Sequence, residues 1–272
     1  MVTRPPAPEP QYPTGTTRAS HVDHPHLAHR SYVEHAEHIE AIEAIEAIEH
    51  NEIGATMSTP TSPAASSSAP VKLAVIYYSA TGTVATIAKE MAETAKRAGA
   101  DVRLRRVREL APQEAVDSNP AWAENARATA DIPEATPDDI DWADAVLFGT
   151  PTRYGNVTSQ LKQYLDTLGP LWQEGRLADK VYSGFTSSAT LHGGQESTLL
   201  ALYNTVHHFG GILVAPGYTD PSKFVDGNPY GTSHVDAQGQ SPVEGTTLKA
   251  ARVQCERVVR VTRALASGFA AN

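Results

Sequence analysis

The chain is poor in cysteine, in long apolar runs and in positive charge, and each shortage closes off a class of function. One cysteine, Cys255, stands among 272 residues. That excludes an intrachain disulfide and fits a reducing, cytoplasmic compartment. No stretch approaches the ~18–20 consecutive apolar residues that a membrane-spanning helix needs. No apolar segment follows a basic start, so no secretory signal is expected. Twenty-two Lys and Arg face 31 Asp and Glu. The balance is −6 over residues 1–56 and −3 over the rest, so neither part has the basic footprint of a nucleic-acid binder. The G-x-G-x-x-G dinucleotide fingerprint is missing, as is the lysine of a Walker A loop.

Residues 1–70 are rich in Pro, Thr, Ser, Ala and His, and hold seven of the eleven histidines. A tripeptide repeat runs from Glu40 to Glu49. Its period of three lets the isoleucines drift around a helix instead of forming a stripe. This segment is expected to be a disordered, low-complexity extension. His35, His38 and His50 read as part of a solvated tail, and no metal site is expected.

From Val71 the pattern changes to alternating strand and helix. Val71–Tyr77 is an apolar, β-rich run; Val84, Ile87, Ala88, Met91, Ala92 and Ala95 recur at helical spacing before Gly99. Asp101–Val107 alternates as a strand does, and residues 111–137 read as a long excursion. Ala145–Phe148 is a third strand; Val157, Leu161, Tyr164, Leu165 and Leu168 mark a helix closed by Gly169-Pro170. Lys180–Phe185 is a fourth strand, a helix follows over 195–208, and Gly211–Ala215 is a short fifth strand. Residues 216–243 read as loop. A last helix carries Leu248, Ala251, Cys255, Val258, Val259, Thr262 and Leu265 on one face, which makes Cys255 a core residue instead of a nucleophile. Five strands alternating with helices predict an α/β fold: a doubly wound, five-stranded parallel sheet in a three-layer α/β/α domain over 71–268.

Three loops follow strands at the carboxyl edge of that sheet, where open α/β folds bind their ligands. The first is Ser79-Ala80-Thr81-Gly82-Thr83-Val84. Hydroxyls, a glycine and a helix amino terminus make a site for a single phosphate held by neutral donors. The second is Pro151-Thr152-Arg153-Tyr154-Gly155, which offers a charge, an aromatic ring and close backbone approach to a flat heterocycle. The third is Ser187-Ser188-Ala189-Thr190-Leu191-His192, small and polar, and it leads into a helix that ends in His207-His208.

Together these segments resemble the WrbA family, the flavodoxin-like type IV NAD(P)H:quinone oxidoreductases. The resemblance rests on Tyr77-Tyr78-Ser79 with Gly82, on Gly149–Val157, on Leu171-Trp172, and on Thr186–Glu196 with its His-Gly-Gly-Gln-Glu ending. It rests also on His207-His208 with Gly210, on Pro216-Gly217-Tyr218, and on Asn228-Pro229-Tyr230-Gly231. It covers about residues 71–267. It implies non-covalent FMN, NAD(P)H as co-substrate, ping-pong two-electron reduction of quinones to hydroquinones, and a homotetramer or homodimer. By that resemblance Ser79–Val84 hold the phosphate, Thr152, Arg153 and Tyr154 meet the ring, and Ser187–His192 form the third FMN segment. It also makes His207 the ring-facing, catalytic histidine and Trp172 the substrate-lining residue. Thr81 departs from the family, which often has an aromatic residue there, linked to the nicotinamide cofactor. A one-electron flavodoxin-type carrier and a non-enzymatic flavodoxin-fold scaffold are the alternative readings.

Overall fold

The computed structural model describes residues 69–270. The extension expected over residues 1–70 therefore lies outside the described residues, except for its last two positions.

Lys72–Tyr77 forms β1, and its alternate side chains divide between two cores. Leu73, Val75 and Tyr77 pack on one face of the sheet, and Ala74, Ile76 and Tyr78 on the other. This continuous apolar run suits a strand covered on both sides. The first face is covered by α1 (Thr83–Arg97) and the long α9 (Gly245–Ala270). Val84, Ile87, Ala88, Met91 and Ala95 turn inward from α1, and Ala251, Cys255, Val258 and Val259 from α9. The second face is covered by α4 (Pro137–Trp142), α5 (Ser159–Asp166) and α7 (Gln195–Phe209). Fully burying one such aliphatic side chain stabilises the fold by about 1.5–3 kcal/mol. Cys255 is fully buried, its Sγ donates to the Met91 carbonyl at 3.1 Å, and burial pushes its thiol up to about 12. It is a core residue, as its helical face implies.

The parallel sheet runs β2-β1-β3-β4-β5, the flavodoxin-like order. Here β2 is Asp101–Arg106, β3 is Ala145–Pro151, β4 is Val181–Ser188 and β5 is Ile212–Leu213. A sixth strand, β6 (Thr232–Val235), corrects the expected count of five. Ile212 and Leu213 pair with Val181 and Tyr182, whereas Thr232–Val235 pair with Phe185–Ser188. The opposite edge of β4 is filled by β3. The two short strands therefore share one edge, as one strand position interrupted by residues 214–231.

Both stretches read as loop contain helices. Residues 111–137 hold α2 (Gln113–Asp117) and α3 (Pro120–Ala128), and residues 216–243 hold α8 (Pro221–Asp226) besides β6. Gly169-Pro170 does not close a helix but opens the short α6 (Gly169–Gln173). Among the described residues, no helix is long and apolar enough to cross a membrane.

Candidate active site

The first loop is built for an anion. Gly82 is the N-cap of α1 at φ 99°, it provides no side-chain cap, and the first turn contains no acidic residue. The first-turn N–H groups of a helix have no intrahelical acceptor, so here they remain available beside the positive end of the dipole. The loop is held from both sides. Gly82 N donates to Ser79 Oγ at 3.2 Å. Asn125 of α3 donates through Nδ2 to the carbonyls of Ser79 at 2.8 Å and Ala80 at 3.0 Å.

The second loop is a two-residue hairpin turn. Arg153 N donates to Asn156 O at 2.8 Å and Asn156 N returns a bond to Arg153 O at 3.0 Å. Tyr154 and Gly155 between them have φ 54° and 74°, the double left-handed signature of a type I′ turn. This places the Tyr154 side chain wholly in solvent at the tip. Thr152 ties the turn to the third loop: its N donates to Ser187 O at 2.8 Å, and its Oγ1 accepts from Thr198 Oγ1 at 2.8 Å.

The third loop begins inside β4, which runs three residues further than the sequence suggests. Ser187 and Ser188 are buried strand residues. Ser188 Oγ donates to Thr190 O at 2.7 Å, and Gln195 Nε2 donates to Leu191 O at 3.0 Å. Gly194, at φ 95°, packs against Gly155, so loops two and three meet through glycines.

The loops surround one cavity of about 630 Å³. Ser79, Ala80, Thr81, Thr83 and Val84 line it, as do Pro151, Thr152 and Arg153, and Ser187, Ser188, Ala189 and Thr190. Gly82, Tyr154, Gly155, Leu191 and His192 flank it without lining it; Leu191 and His192 face a separate recess. His207 stands elsewhere, in a groove along α7 with Leu200, Leu213 and Tyr230. Helix α7 starts at the carboxyl end of β4 and returns the chain to β5, which pairs with the amino end of β4. Its fifteen residues span about 22 Å, so His207 is carried away from the loops of its own chain. Trp172 is half-exposed near the same end, with Nε1 donating to His208 O at 2.8 Å. The structure thus brings the three loops together but not His207 or Trp172.

It also adds walls that the sequence reading lacks: Asn119 and Ala121 from the start of α3, and Asp236, Gln238 and Gly239 just after β6. Beside the first loop, Glu109 accepts from Tyr78 OH at 2.7 Å, Trp122 Nε1 at 3.0 Å and Gln160 Nε2 at 2.8 Å. Burial works to raise its carboxyl, but these donors and the Ala111 N–H prevail and hold it below the usual carboxylate range. Burial and the bond to Glu109 push the Tyr78 phenol up, against the pull of nearby Arg153.

Comparison with known proteins agrees with this geometry. The family described as NADPH-dependent FMN reductase matches residues 71–220. An NAD(P)H dehydrogenase (quinone) of Deinococcus radiodurans is 49% identical over 199 residues, covering 73% of this chain and 98% of that protein. A protein of the same name from Aromatoleum aromaticum is 39% identical over 208 residues, covering 74% and 100%. The crystal structure of a flavodoxin, a WrbA-like protein from Agrobacterium tumefaciens, superposes with a TM-score of 0.51 at 26% identity, covering 71% of this chain and 98% of that one.

Proposed function

Because this chain belongs to the NADPH-dependent FMN reductase family, we propose that it is an FMN-dependent NAD(P)H:quinone oxidoreductase with its cofactor in the cavity between the three loops. The observation that carries this reading is the convergence of an uncapped helix amino terminus, an arginine-bearing turn and a serine-rich strand end on one 630 Å³ space. That volume lies within the ~300–1,000 Å³ of small-ligand sites. The donor set fits a phosphate monoester, with hydroxyls and free N–H groups and no lysine.

Thr83, Val84 and the first-turn N–H groups would hold the phosphate, and Asn125 would keep the loop in position for it. Arg153 would set positive charge against one edge of the ring system, which favours its anionic reduced form. Ser187–Thr190 would pack along the other side. When bound, FMN supplies a carrier of two electrons between a nicotinamide and a quinone. Trp172 and His207 lie far from their own cavity, so we assign them to the site of a neighbouring copy in a symmetric tetramer or dimer, where Trp172 stacks on a flat substrate. The chain's lone, buried cysteine fits a cytoplasmic setting.

The purified protein should show flavin absorbance and oxidise NADPH only with a quinone present. A preparation that carries FMN but leaves NADPH untouched with benzoquinone rejects the reading. A well-populated neutral semiquinone in a redox titration would point to a one-electron carrier instead.

Asn125→Ala removes two hydrogen bonds of about 0.5–1.5 kcal/mol each from the loop carbonyls. It should weaken FMN binding about tenfold in a fluorescence titration and lower Tm by roughly a few degrees.

A further inference from the structure

Resting on the FMN reading of the cavity, we propose that Asp236 is a specificity-determining residue that sets how tightly the site holds the phosphate end of its flavin. Asp236 follows β6 directly, and its N–H donates to Ser188 O at 2.9 Å, continuing the pairing with β4. That fixes the residue at the mouth of the cavity, which it lines. Its carboxylate is shared. Oδ1 accepts from Gln238 N at 2.9 Å, and Oδ2 accepts from Thr83 Oγ1 at 3.3 Å. Thr83 is the first residue of α1 and belongs to the loop assigned to the phosphate. A negative charge therefore already sits on a hydroxyl that a phosphate would use.

No basic side chain among the described residues pairs with Asp236. A phosphate monoester carries about −1.5 to −2 charges near neutrality. Two like charges a few ångströms apart in a half-enclosed cleft repel strongly. Either Asp236 gives up Thr83 when the phosphate arrives, or the pair is held at a standing cost in affinity. The turn that follows is suited to yielding. Ala237, Gln238 and Gly239 have φ 48°, 60° and 84°, and two of them are residues that disfavour this region. The same carboxylate pins that turn through Gln238 N. The residue acts as an internal competitor, and it bears on the phosphate alone.

Riboflavin, which lacks the phosphate, separates this role from a merely structural one. Fluorescence titration of apoprotein with FMN and with riboflavin, for wild type and Asp236→Asn, is the test. Asparagine keeps the Oδ1 acceptor for Gln238 N and removes the charge. FMN should bind about tenfold more tightly to the variant, riboflavin should change less than about twofold, and added salt should narrow the difference. Asp236→Ser, which keeps a short acceptor in the turn, should give the same pattern, with tighter FMN and riboflavin little changed. Equal changes for both flavins, or weaker FMN binding in the variants with riboflavin unchanged, overturn the proposal. Wild-type protein that binds neither flavin overturns the cavity reading and this proposal together.

Discussion

Gly194→Ala should lower stability by about 3 kcal/mol and weaken FMN binding at least about tenfold. Gly194 is the N-cap of α7 at φ 95° and ψ 33°, a backbone region that costs an L side chain roughly 1–2 kcal/mol. A Cβ there would lie 2.8 Å from Gly155 Cα and 3.1 Å from Ser197 Oγ. The serine can rotate away. The glycine backbone can move only if the Arg153–Asn156 turn moves with it, at the roughly 1–3 kcal/mol typical of an overpacked contact. For a domain of this size the combined loss corresponds to a fall in Tm on the order of 10 °C. Gly99→Ala is the matched control: it has φ 80° but no atom within 4 Å of the added carbon, so it carries the backbone strain without the collision. Thermal melts and flavin titrations of both variants check the argument. Equal behaviour of the two would show that loops two and three do not depend on their glycine contact.

That contact illustrates what the sequence could and could not convey. The glycines at 155 and 194 mark close backbone approach, and the hydroxyl-rich turns mark an anion site; both are local signals. Strands β1 and β3 and helices α1 and α9 are legible for the same reason, because each carries its own apolar run or period. The short helices are not legible that way. Helix α3 buries none of its residues, and α2 and α8 have only five and six, too few for a stripe. Their signal lies in their starts. Asn119-Pro120, Thr136-Pro137 and Asp220-Pro221 each join a capping residue to a proline in the first turn, a combination that favours helix initiation. Reading those three dipeptides as starts would have broken up both long excursions. It would also have drawn attention to Asn119 at the cavity and to Asn125, which holds the first loop.

The position of His207 was illegible for a different reason. Motif spacing places it shortly after the third loop, but a fifteen-residue helix turns twelve residues of sequence separation into roughly 18 Å. Strand β6 was hidden because Gly211–Ala215 already satisfied the pattern of a fifth strand. Only the pairing shows that one strand position is split between two segments.

The split is maintained by a buried ion pair, and Lys223→Ala is expected to have the largest effect on the inserted segment. The Lys223 and Asp226 side chains are 0% and 1% exposed and form a salt bridge within α8. Lys223 Nζ also donates to Gly231 O at 3.3 Å, and Asp226 Oδ1 accepts from Ser233 N at 3.3 Å. The pair therefore joins α8 to the residue before β6 and to β6 itself. Burial pulls the lysine below its usual range and pushes the aspartate above its own, while their mutual attraction opposes both shifts. Removing one partner leaves the other buried without its counter-charge, which costs about 3–5 kcal/mol. Replacing both by apolar residues of similar size, as in Lys223→Met with Asp226→Leu, should recover most of that loss, because the desolvation penalty leaves with the charges. Hydrogen exchange should rise over residues 216–235 in the single variant, while β1 and β3 stay protected. Since β6 delivers Asp236 to the cavity, the single variant should also favour FMN over riboflavin more strongly than wild type does, as Asp236→Asn is expected to. A double variant as unstable as the single one would show that shape, not charge, holds the insertion against β4.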